Sequence, residues 1–320
     1  MTSSPPDNTR LPAYAAADDD PARWLPIREV SERTGVNSVT LRAWERRYGL
    51  IKPQRTRKGH RLYCEFDVER IEQIQQWLAR GVSVGQVAKL LPPLAEQELA
   101  STDATQQQTQ TEQPEPDWKP VLDESLTALK DGNLIRFDQT LNQVSAIYPA
   151  ALLMRFYWQP LLAQLAAEPE GERRQLMLLQ LDSYLRNRVG ARLMHRNLQA
   201  KEQKRLLISH LPGEQPKFEL WLAALMCTDL NIPVLLLDEL PSWSLLHLID
   251  QQQVLSGVLL LGSEKTAALK QSEQQQLQSL EIPCWIAGPL ARIQPELFTD
   301  CGWQIAENWP ELLSEKRQQF

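Results

Sequence analysis

A stretch of 18 residues with almost no apolar side chains constrains this chain more than any other feature. Residues 100–117 read ASTDATQQQTQTEQPEPD, where alanine is the only apolar residue type. Burial of such a segment cannot offset the conformational entropy that is lost when it becomes ordered. We therefore predict a linker here, and the 320 residues of the chain should form two or three separate modules.

Composition also sets apart the N-terminal segment. Residues 1–22 are rich in Pro, Asp, Ser and Ala without periodicity, which predicts a disordered arm. This segment has neither a basic start nor an apolar core, and no apolar run in the chain reaches the length that a bilayer requires. We therefore expect a cytoplasmic protein with no membrane partner, whose modules span residues 23–99, 118–203 and 204–320.

Charge is distributed unevenly between these modules. Residues 23–91 hold 14 Lys and Arg against 7 Asp and Glu, a balance of +7. Because the whole chain has a net charge of −6, the remainder carries −13. A basic cluster of this kind is typical of a module that binds phosphates, although a solvated charged helix gives a similar signal.

Residues 26–48 have the pattern of a helix, a glycine turn and a second helix. The segment PIREVSERT is followed by Gly35 and Val36 and then by NSVTLRAWERRY, in which Asn37 or Ser38 is suited to cap the second helix. A basic hairpin is predicted next over QRTRKGHRLY, with its turn at Gly59. Two further helices are predicted at 66–79 and 83–91, separated by Gly81.

This order of motifs resembles the winged helix-turn-helix of the MerR family. The resemblance lies in IREVSERTGVNSVTLRAWERRYGLIKP and in GHRLYCEFDVERIEQIQQWLARGVSVGQVAKLL. It implies that the second helix enters the DNA major groove and that the hairpin wing flanks it. Arginine can read guanine or clamp a phosphate, and hydroxyl groups add neutral donors. The predicted DNA-binding residues are Ser38, Thr40, Arg42, Arg46, Arg47, Arg55, Arg57, Lys58, Arg61 and Tyr63, with Lys52 as a further phosphate contact.

Three other side chains in this region are predicted to have structural roles. Glu45 and Glu69 carry carboxylates, which repel phosphates, so we expect them to orient neighbouring arginines. Trp44 could stack on a base, but an aromatic residue at this position of a small helical module usually belongs to its core. We assign Trp44 to packing.

The chain after the linker changes from a helical pattern to a strand pattern. Apolar residues at helical spacing predict a helical bundle over 118–203. Short apolar runs that alternate with amphipathic stretches then predict a parallel sheet covered on both faces. The predicted strands are 206–209, 233–237, 257–261 and 283–287, with helices that start near Lys217, Ser242 and Thr266. The fold class is therefore multidomain: an all-α winged helix-turn-helix head, a helical bundle, and an α/β doubly wound, flavodoxin-like C-terminal domain.

The bundle followed by this sheet resembles the cobalamin-binding module of light-sensing MerR relatives. In those proteins the loop after the first strand carries Asp/Glu-x-His-x-x-Gly, and its imidazole ligates cobalt. Here Glu214 keeps the first position, but Pro216 replaces the histidine and Glu219 replaces the glycine. His210 lies nearby at the end of a predicted strand, where a lone histidine is more often structural than a ligand.

The upper face of the cobalamin site also departs from this pattern. The light sensors use a Trp and a Glu-His pair from the bundle. In this chain Met177 and Leu178 align with the Glu-His pair, and Pro169 lies near the position of the Trp. We therefore predict a degenerate domain that binds no cobalamin, and no cofactor is assigned.

Other chemistry is not supported by the residue patterns. Cys64, Cys227, Cys284 and Cys301 are scattered without a CxxC pair, so no metal site or disulfide is predicted, and the cysteines are expected to be buried. The chain has no phosphate-binding glycine loop and no nucleophile elbow, so we predict that it is not an enzyme and assign no catalytic residue. The Asp238-Glu239 pair is interpreted as a solvated strand end.

The basic head and its resemblance to the MerR family imply a transcription regulator that binds double-stranded DNA as a dimer on a promoter palindrome. The expected partners are RNA polymerase, further copies of the chain, and a protein or small-molecule signal that acts on the C-terminal region. The closest functional resemblance is to MerR-like regulators of curli and biofilm matrix genes that have degenerate C-terminal domains. Two alternatives stay open: a sensor of cobalamin or another small ligand such as a cyclic dinucleotide, and a corrinoid-dependent enzyme component or carrier.

Overall fold

The computed structural model describes residues 24–80, 82–91, 118–199, 203–212, 218–252, 254–263, 269–317 and 319–320. The chain divides into two compact units, Met1–Asp117 and Trp118–Phe320, which we name the head and the body. The predicted arm at 1–22, the predicted linker at 100–117 and the predicted helix stop at Gly81 lie outside the described residues.

In the described residues of the head, four α-helices combine with three short strands. Its elements are β1 (Leu25–Pro26), α1 (Ile27–Thr34), α2 (Ser38–Ala43), β2 (Gln54–Arg55), β3 (Arg61–Tyr63), α3 (Glu65–Ala79) and α4 (Val84–Leu90). The strands form an antiparallel sheet in the order β1-β3-β2. The predicted hairpin wing is thus present, and strands accompany the helices of the predicted all-α head.

The first part of the body is helical, as its periodicity predicts. Its helices are α5 (Lys119–Lys130), α6 (Leu134–Ser145), α7 (Ala150–Leu153), α8 (Gln159–Ala167) and α9 (Glu172–Gln199). Gly132 separates α5 from α6 with a positive φ of 68°, and Asn133 caps α6 by accepting a hydrogen bond from the N–H of Arg136.

The second part of the body is a five-stranded parallel sheet with helices between the strands. Its elements are β4 (Arg205–His210), α10 (Phe218–Asp229), β5 (Val234–Leu236), α11 (Ser244–Asp250), β6 (Leu255–Leu261), α12 (Gln271–Gln278), β7 (Cys284–Ala287), α13 (Pro289–Ile293), α14 (Pro295–Thr299), β8 (Gln304–Ala306) and α15 (Trp309–Lys316). The order β5-β4-β6-β7-β8 is that of a flavodoxin-like fold, which confirms the predicted class.

The sheet has a separate hydrophobic core on each face. Leu206 and Ile208 of β4 pack on one side with the bundle helices and α10. Leu207 lies on the opposite side with Leu246 of α11 and Leu290 of α13. Because strand side chains alternate between faces, one sheet face shares a continuous core with the bundle, so the residues predicted as 118–203 and 204–320 pack within one unit.

None of the helices within the described ranges combines the length and the apolar character needed to cross a membrane.

Candidate nucleic-acid interface

The turn between α1 and α2 is fixed by two local interactions. Gly35 adopts a left-handed conformation, with φ of 73° and ψ of 7°, and its N–H donates to the carbonyl of Ser31 at 2.9 Å. Only glycine enters this conformation at little cost. The side chain of Asn37 then accepts a hydrogen bond from the N–H of Val39 at 2.9 Å, which caps α2. These residues set the direction in which α2 leaves the turn.

The inward face of α2 packs into the head core. Leu41 and Trp44 are fully buried, and the helix continues from Trp44 to Tyr48 with a wider π-type turn that ends at Gly49. The prediction that Trp44 packs in the core is confirmed. The side of α2 and of the π-type turn that lies opposite these buried residues is therefore the side that can face outward.

Two residues predicted to contact DNA are buried instead. Thr40 is 1% exposed and Tyr63 is 0% exposed. Thr40 lies on the same side of α2 as Leu41 and Trp44, and Tyr63 ends β3 against the core, so neither side chain can reach a duplex in this conformation. Both hydroxyl oxygens lack a hydrogen-bond partner among the described residues. Burial also raises the pKa of Tyr63 far above its usual value.

Three arginines of the second helix are exposed and lack an ion pair. Arg42, Arg46 and Arg47 lie at exposed positions of α2 and the π-type turn that follows it, and within the described part of the chain no carboxylate pairs with them. Ser38, at the start of α2, is half-buried. An unpaired guanidinium keeps its full capacity to bind a phosphate or a guanine edge. The structure therefore brings together four of the predicted side chains.

The tip of the wing carries two further exposed cations. The hairpin turns between Thr56 and His60, whose backbones are joined by a 2.9 Å hydrogen bond. Gly59 occupies the turn with a positive φ of 83°, which favours glycine. Arg57 and Lys58 lie at exposed positions of this turn, where they are suited to contact a phosphate backbone.

Glu45 joins the second helix to the wing. Its two carboxylate oxygens accept hydrogen bonds from Arg55 Nη2 at 2.8 Å and from Arg61 Nε at 2.5 Å. Burial of Glu45 opposes its ionisation, but the hydrogen bonds from Arg61 and Arg55 prevail and lower the pKa of the carboxyl group. The prediction that Glu45 orients neighbouring arginines is confirmed, whereas exposed Glu69 forms no ion pair with any described residue.

This contact changes the role of Arg61. Its side chain is only 11% exposed, and its Nη2 atom is buried, so Arg61 does not present a free cation to a phosphate as predicted. It holds the wing against the second helix. Arg55 is 47% exposed in side chain, so it can bind Glu45 and a phosphate together.

In the body, side chains of α9 contact α10 and the loop after β5, at the carboxyl edge of the sheet. Arg186 of α9 donates from Nη1 to Asp238 Oδ2 at 3.1 Å, in the loop after β5, and from Nε to Asp182 at 2.7 Å. Trp221 of α10 donates from Nε1 to Asp182 at 2.8 Å, and the Arg186 guanidinium lies 4.4 Å from its ring centroid. The Asp238-Glu239 pair is thus more than a solvated strand end, since Asp238 binds the bundle.

Sequence reasoning missed this bridge, although one part of it has a sequence signal. Asp182 and Arg186 are four residues apart on one helix, which is the spacing of an ion pair. The contact with Asp238 joins residues that are 52 positions apart and depends on the tertiary fold.

The described residues at positions that the cobalamin-binding resemblance singles out do not fit a cobalamin. His210 is 1% exposed and its Nδ1 atom lies 3.0 Å from the carbonyl oxygen of Leu261, so the histidine belongs to the packed sheet. Met177 is 2% exposed and part of the bundle core. Glu219 is half-buried near the start of α10, while positions 214 and 216 lie outside the described residues.

The interior between α9 and α10 leaves little room for a ligand. A cavity of about 10 Å³ is lined by Leu141, Trp158, Arg188, Arg192, Leu222 and Asp229, among others. That volume accommodates roughly one water molecule. Cys227, Cys284 and Cys301 are buried and all four cysteines are free thiols. Across the described residues no three His, Cys, Asp or Glu side chains come together as metal ligands would.

Comparison with known proteins places the head in a family. Residues 25–93 match the family model described as "MerR HTH family regulatory protein". The HTH-type transcriptional regulator MlrA of Escherichia coli (strain K12) is 35% identical over 164 residues, which are 51% of this chain and 60% of MlrA. The alignment thus covers less than two thirds of that relative.

Two further similarities extend over more of the chain. The HTH-type transcriptional repressor CarH of Myxococcus xanthus is 27% identical over 271 residues, 83% of this chain and 89% of CarH. A solved structure described as a novel cobalamin-binding protein from Desulfitobacterium hafniense DCB-2 is similar with a TM-score of 0.28 and 10% identity, over 62% of this chain and 98% of that chain.

The family match covers every element of the head, from β1 to α4, including the second helix and the wing. Residues 25–93 therefore match a helix-turn-helix domain of the MerR family, and the chain is similar to the HTH-type regulators MlrA and CarH.

Proposed function

We propose that this protein is a sequence-specific DNA-binding transcription regulator that acts as a dimer on a promoter palindrome. The observation that carries the proposal is a set of exposed arginines on the second helix of a MerR-type domain, Arg42, Arg46 and Arg47, which form no ion pair with any described residue. A B-form major groove admits one α-helix, and arginine is the side chain that most often reads guanine there. The named relatives, which are transcription regulators, support the same function.

The proposed dimer follows from the small size of the head. One helix and one wing offer few contacts, and paired heads on an inverted repeat gain affinity through their effective concentration. We assign oligomerisation, partner docking or signal input to the body. RNA polymerase is the proposed partner at the promoter, as for a MerR-type regulator, and the proposal includes no enzymatic step and no cobalamin.

The test is fluorescence anisotropy with the full chain and a duplex selected from a random library. Arg42→Ala should weaken binding to the selected duplex by about 1–3 kcal/mol if the side chain reads a base. Removal of Arg57 and Lys58 together should weaken all sequences about equally and reduce the salt slope by about 1 for each cation.

Arg173→Ala is the matched control, because it removes one exposed arginine from the body. It should leave affinity unchanged. Unchanged affinity in the Arg42 variant as well would contradict the assignment of the head. The lone head, residues 23–99, should bind the same palindrome more weakly than the full chain, and equal affinity would remove the body from assembly.

A further inference from the structure

Val39 is an exposed apolar side chain on a helix whose other outward residues are basic. It is the second residue of α2 and is 51% exposed. Its neighbours Thr40 and Leu41 are buried in the head core. Arg42 and Arg46 follow at intervals of three and four residues and are also exposed. Because residues at such intervals share one helix face, Val39 lies at the N-terminal end of the arginine face.

The side chain of Val39 is not part of the buried core of the head. The helix cap uses the backbone N–H of Val39 and not its side chain. A β-branched residue is also a weaker helix former than alanine. Single exposed apolar residues are common on protein surfaces, but this one shares its face with exposed arginines that form no ion pair with any described residue.

The chemistry of the major groove offers one apolar group at the base edges. Thymine presents its 5-methyl group there, whereas the other bases present only hydrogen-bond donors and acceptors, and apolar side chains contact that methyl. In a helix valine is held almost entirely in one rotamer, so its two methyl groups are fixed before DNA binds. Little side-chain entropy is then lost on contact.

We infer that Val39 is a specificity-determining residue that packs against the 5-methyl group of a thymine in each half-site. The inference rests on the proposed function, because it requires α2 to lie in the major groove. Arg42, one turn further along the same face, binds a neighbouring guanine or phosphate. Val39 therefore selects a thymine by apolar contact beside the polar contacts of the arginines.

The test removes the methyl group from the DNA and the valine from the protein, separately and together. Each thymine of a duplex selected by the full chain is replaced in turn by deoxyuracil, which lacks only the 5-methyl group. For the unmodified protein we expect one thymine per half-site at which this change weakens binding about fourfold, the equivalent of ~0.8 kcal/mol for one buried apolar carbon. Val39→Ala should weaken binding to the thymine duplex by a similar factor and abolish the penalty of deoxyuracil at that position.

Val254→Ala is the control, because Val254 is 39% exposed in the body. This variant should retain the deoxyuracil penalty. Specific binding with equal deoxyuracil penalties in the unmodified and Val39→Ala proteins would overturn the inference and leave the proposed function intact. A selected site without any thymine-dependent binding would do the same, whereas failure of the full chain to select any DNA sequence would overturn both. Circular dichroism of the exposed-site variant Val39→Ala checks that the head is folded.

Discussion

Arginines of the second helix in the head and arginines of α9 in the body differ in whether they have partners. On the second helix of the head, Arg42, Arg46 and Arg47 are exposed and lack an ion pair with any described residue. On α9 of the body, Arg188 donates to Asp138 at 2.6 Å and Arg192 donates to Asp229 at 2.7 Å. The number of arginines therefore says little about nucleic-acid binding. The partners of each guanidinium decide its role.

Three arginines of α9, which we call the arginine ladder, connect this helix to α6 and α10. Arg188, Arg192 and Arg196 recur every four residues, so they project from one helix face. Arg188 reaches α6, while Arg192 reaches α10 and Arg196 donates to the Thr228 carbonyl at 2.9 Å. Burial raises the pKa of Asp229, and the neighbouring arginines, Arg192 first among them, oppose that shift. Arginines that form such ion pairs and hydrogen bonds within the body stabilise its fold.

The largest effect that we predict concerns an arginine of α9 that forms an ion pair. Arg188→Met should lower the free energy of unfolding of the body by about 2–3 kcal/mol, because the arginine is only 11% exposed and its loss removes the ion pair with Asp138, which keeps hydrogen bonds from Tyr184 and Asn142. Tyr184 and Asn142 also lose the hydrogen bonds that Arg188 donates to them. Urea unfolding of residues 118–320, followed by circular dichroism, measures the change.

Arg173→Met is the control for this prediction, since Arg173 is an exposed residue of α9. It should change the free energy of unfolding by less than about 0.5 kcal/mol. Equal effects of the two substitutions would break the distinction between paired and unpaired arginines.

A smaller effect is expected at Glu45 of the head, which pairs with the exposed Arg55 and with the largely buried Arg61. Glu45→Gln should cost about 1 kcal/mol of head stability at pH 7, because Arg55 and Arg61 lose a charged partner. The pKa of Glu45 is lowered in the folded head, so its contribution is present above the unfolded pKa, near 4.3, and is lost as the pH falls through the folded pKa. The stability difference between the two proteins should therefore shrink below about pH 4.

Urea titrations of residues 23–99 at pH 7, 5 and 3 measure this difference. Glu69→Gln is the matched control, because Glu69 is exposed and forms no ion pair with the described residues. It should show no pH-dependent difference of this size. A Glu45→Gln difference that persists unchanged at pH 3 would mean that the carboxylate charge is not what holds the wing.

The elements with strong local signals could be predicted from the sequence. Capping by Asn37 and the periodicity of the body helices are local properties, and four strands of the body were located by their apolar runs. The fifth strand, Gln304–Ala306, has only three residues and no long apolar run, so it gave no signal. The bridge from Arg186 to Asp238 depends on the tertiary fold, which no spacing rule contains.

The residues of the candidate site could likewise be predicted only in part. Residue type and position on the motif predicted exposed Arg42, Arg46 and Arg47. They could not predict burial of Thr40 and Tyr63, because the π-type turn and the packing of β3 decide which sides of these elements face the core. Val39 was missed although its spacing of three residues from Arg42 was visible in the sequence.

The smallest expected effect is none at all, and it concerns cobalamin. Arg186 joins α9 to Asp238 at the carboxyl edge of the sheet, His210 is held in the sheet, and Pro216 has no nitrogen that could ligate cobalt. Added cobalamin should therefore leave DNA affinity and oligomeric state unchanged, in light and in dark. Calorimetry with the unmodified full chain is the measurement. Binding at 1 μM or tighter, which corresponds to about −8 kcal/mol or a more favourable value, would contradict the prediction.

A pair of substitutions sharpens this expectation. Pro216→His with Glu219→Gly restores the two lower-site residue types that the light sensors carry. We expect no binding from this variant either, because Met177 stays buried in the bundle core and Arg186 still bridges α9 to the loop after β5. If the double variant gained cobalamin affinity while the unmodified chain had none, the lower-site residues alone would have excluded the ligand. The contact between Arg186 and Asp238 would then break at little cost in free energy. Arg186 would in that case stabilise the fold less than the other paired arginines of α9 do.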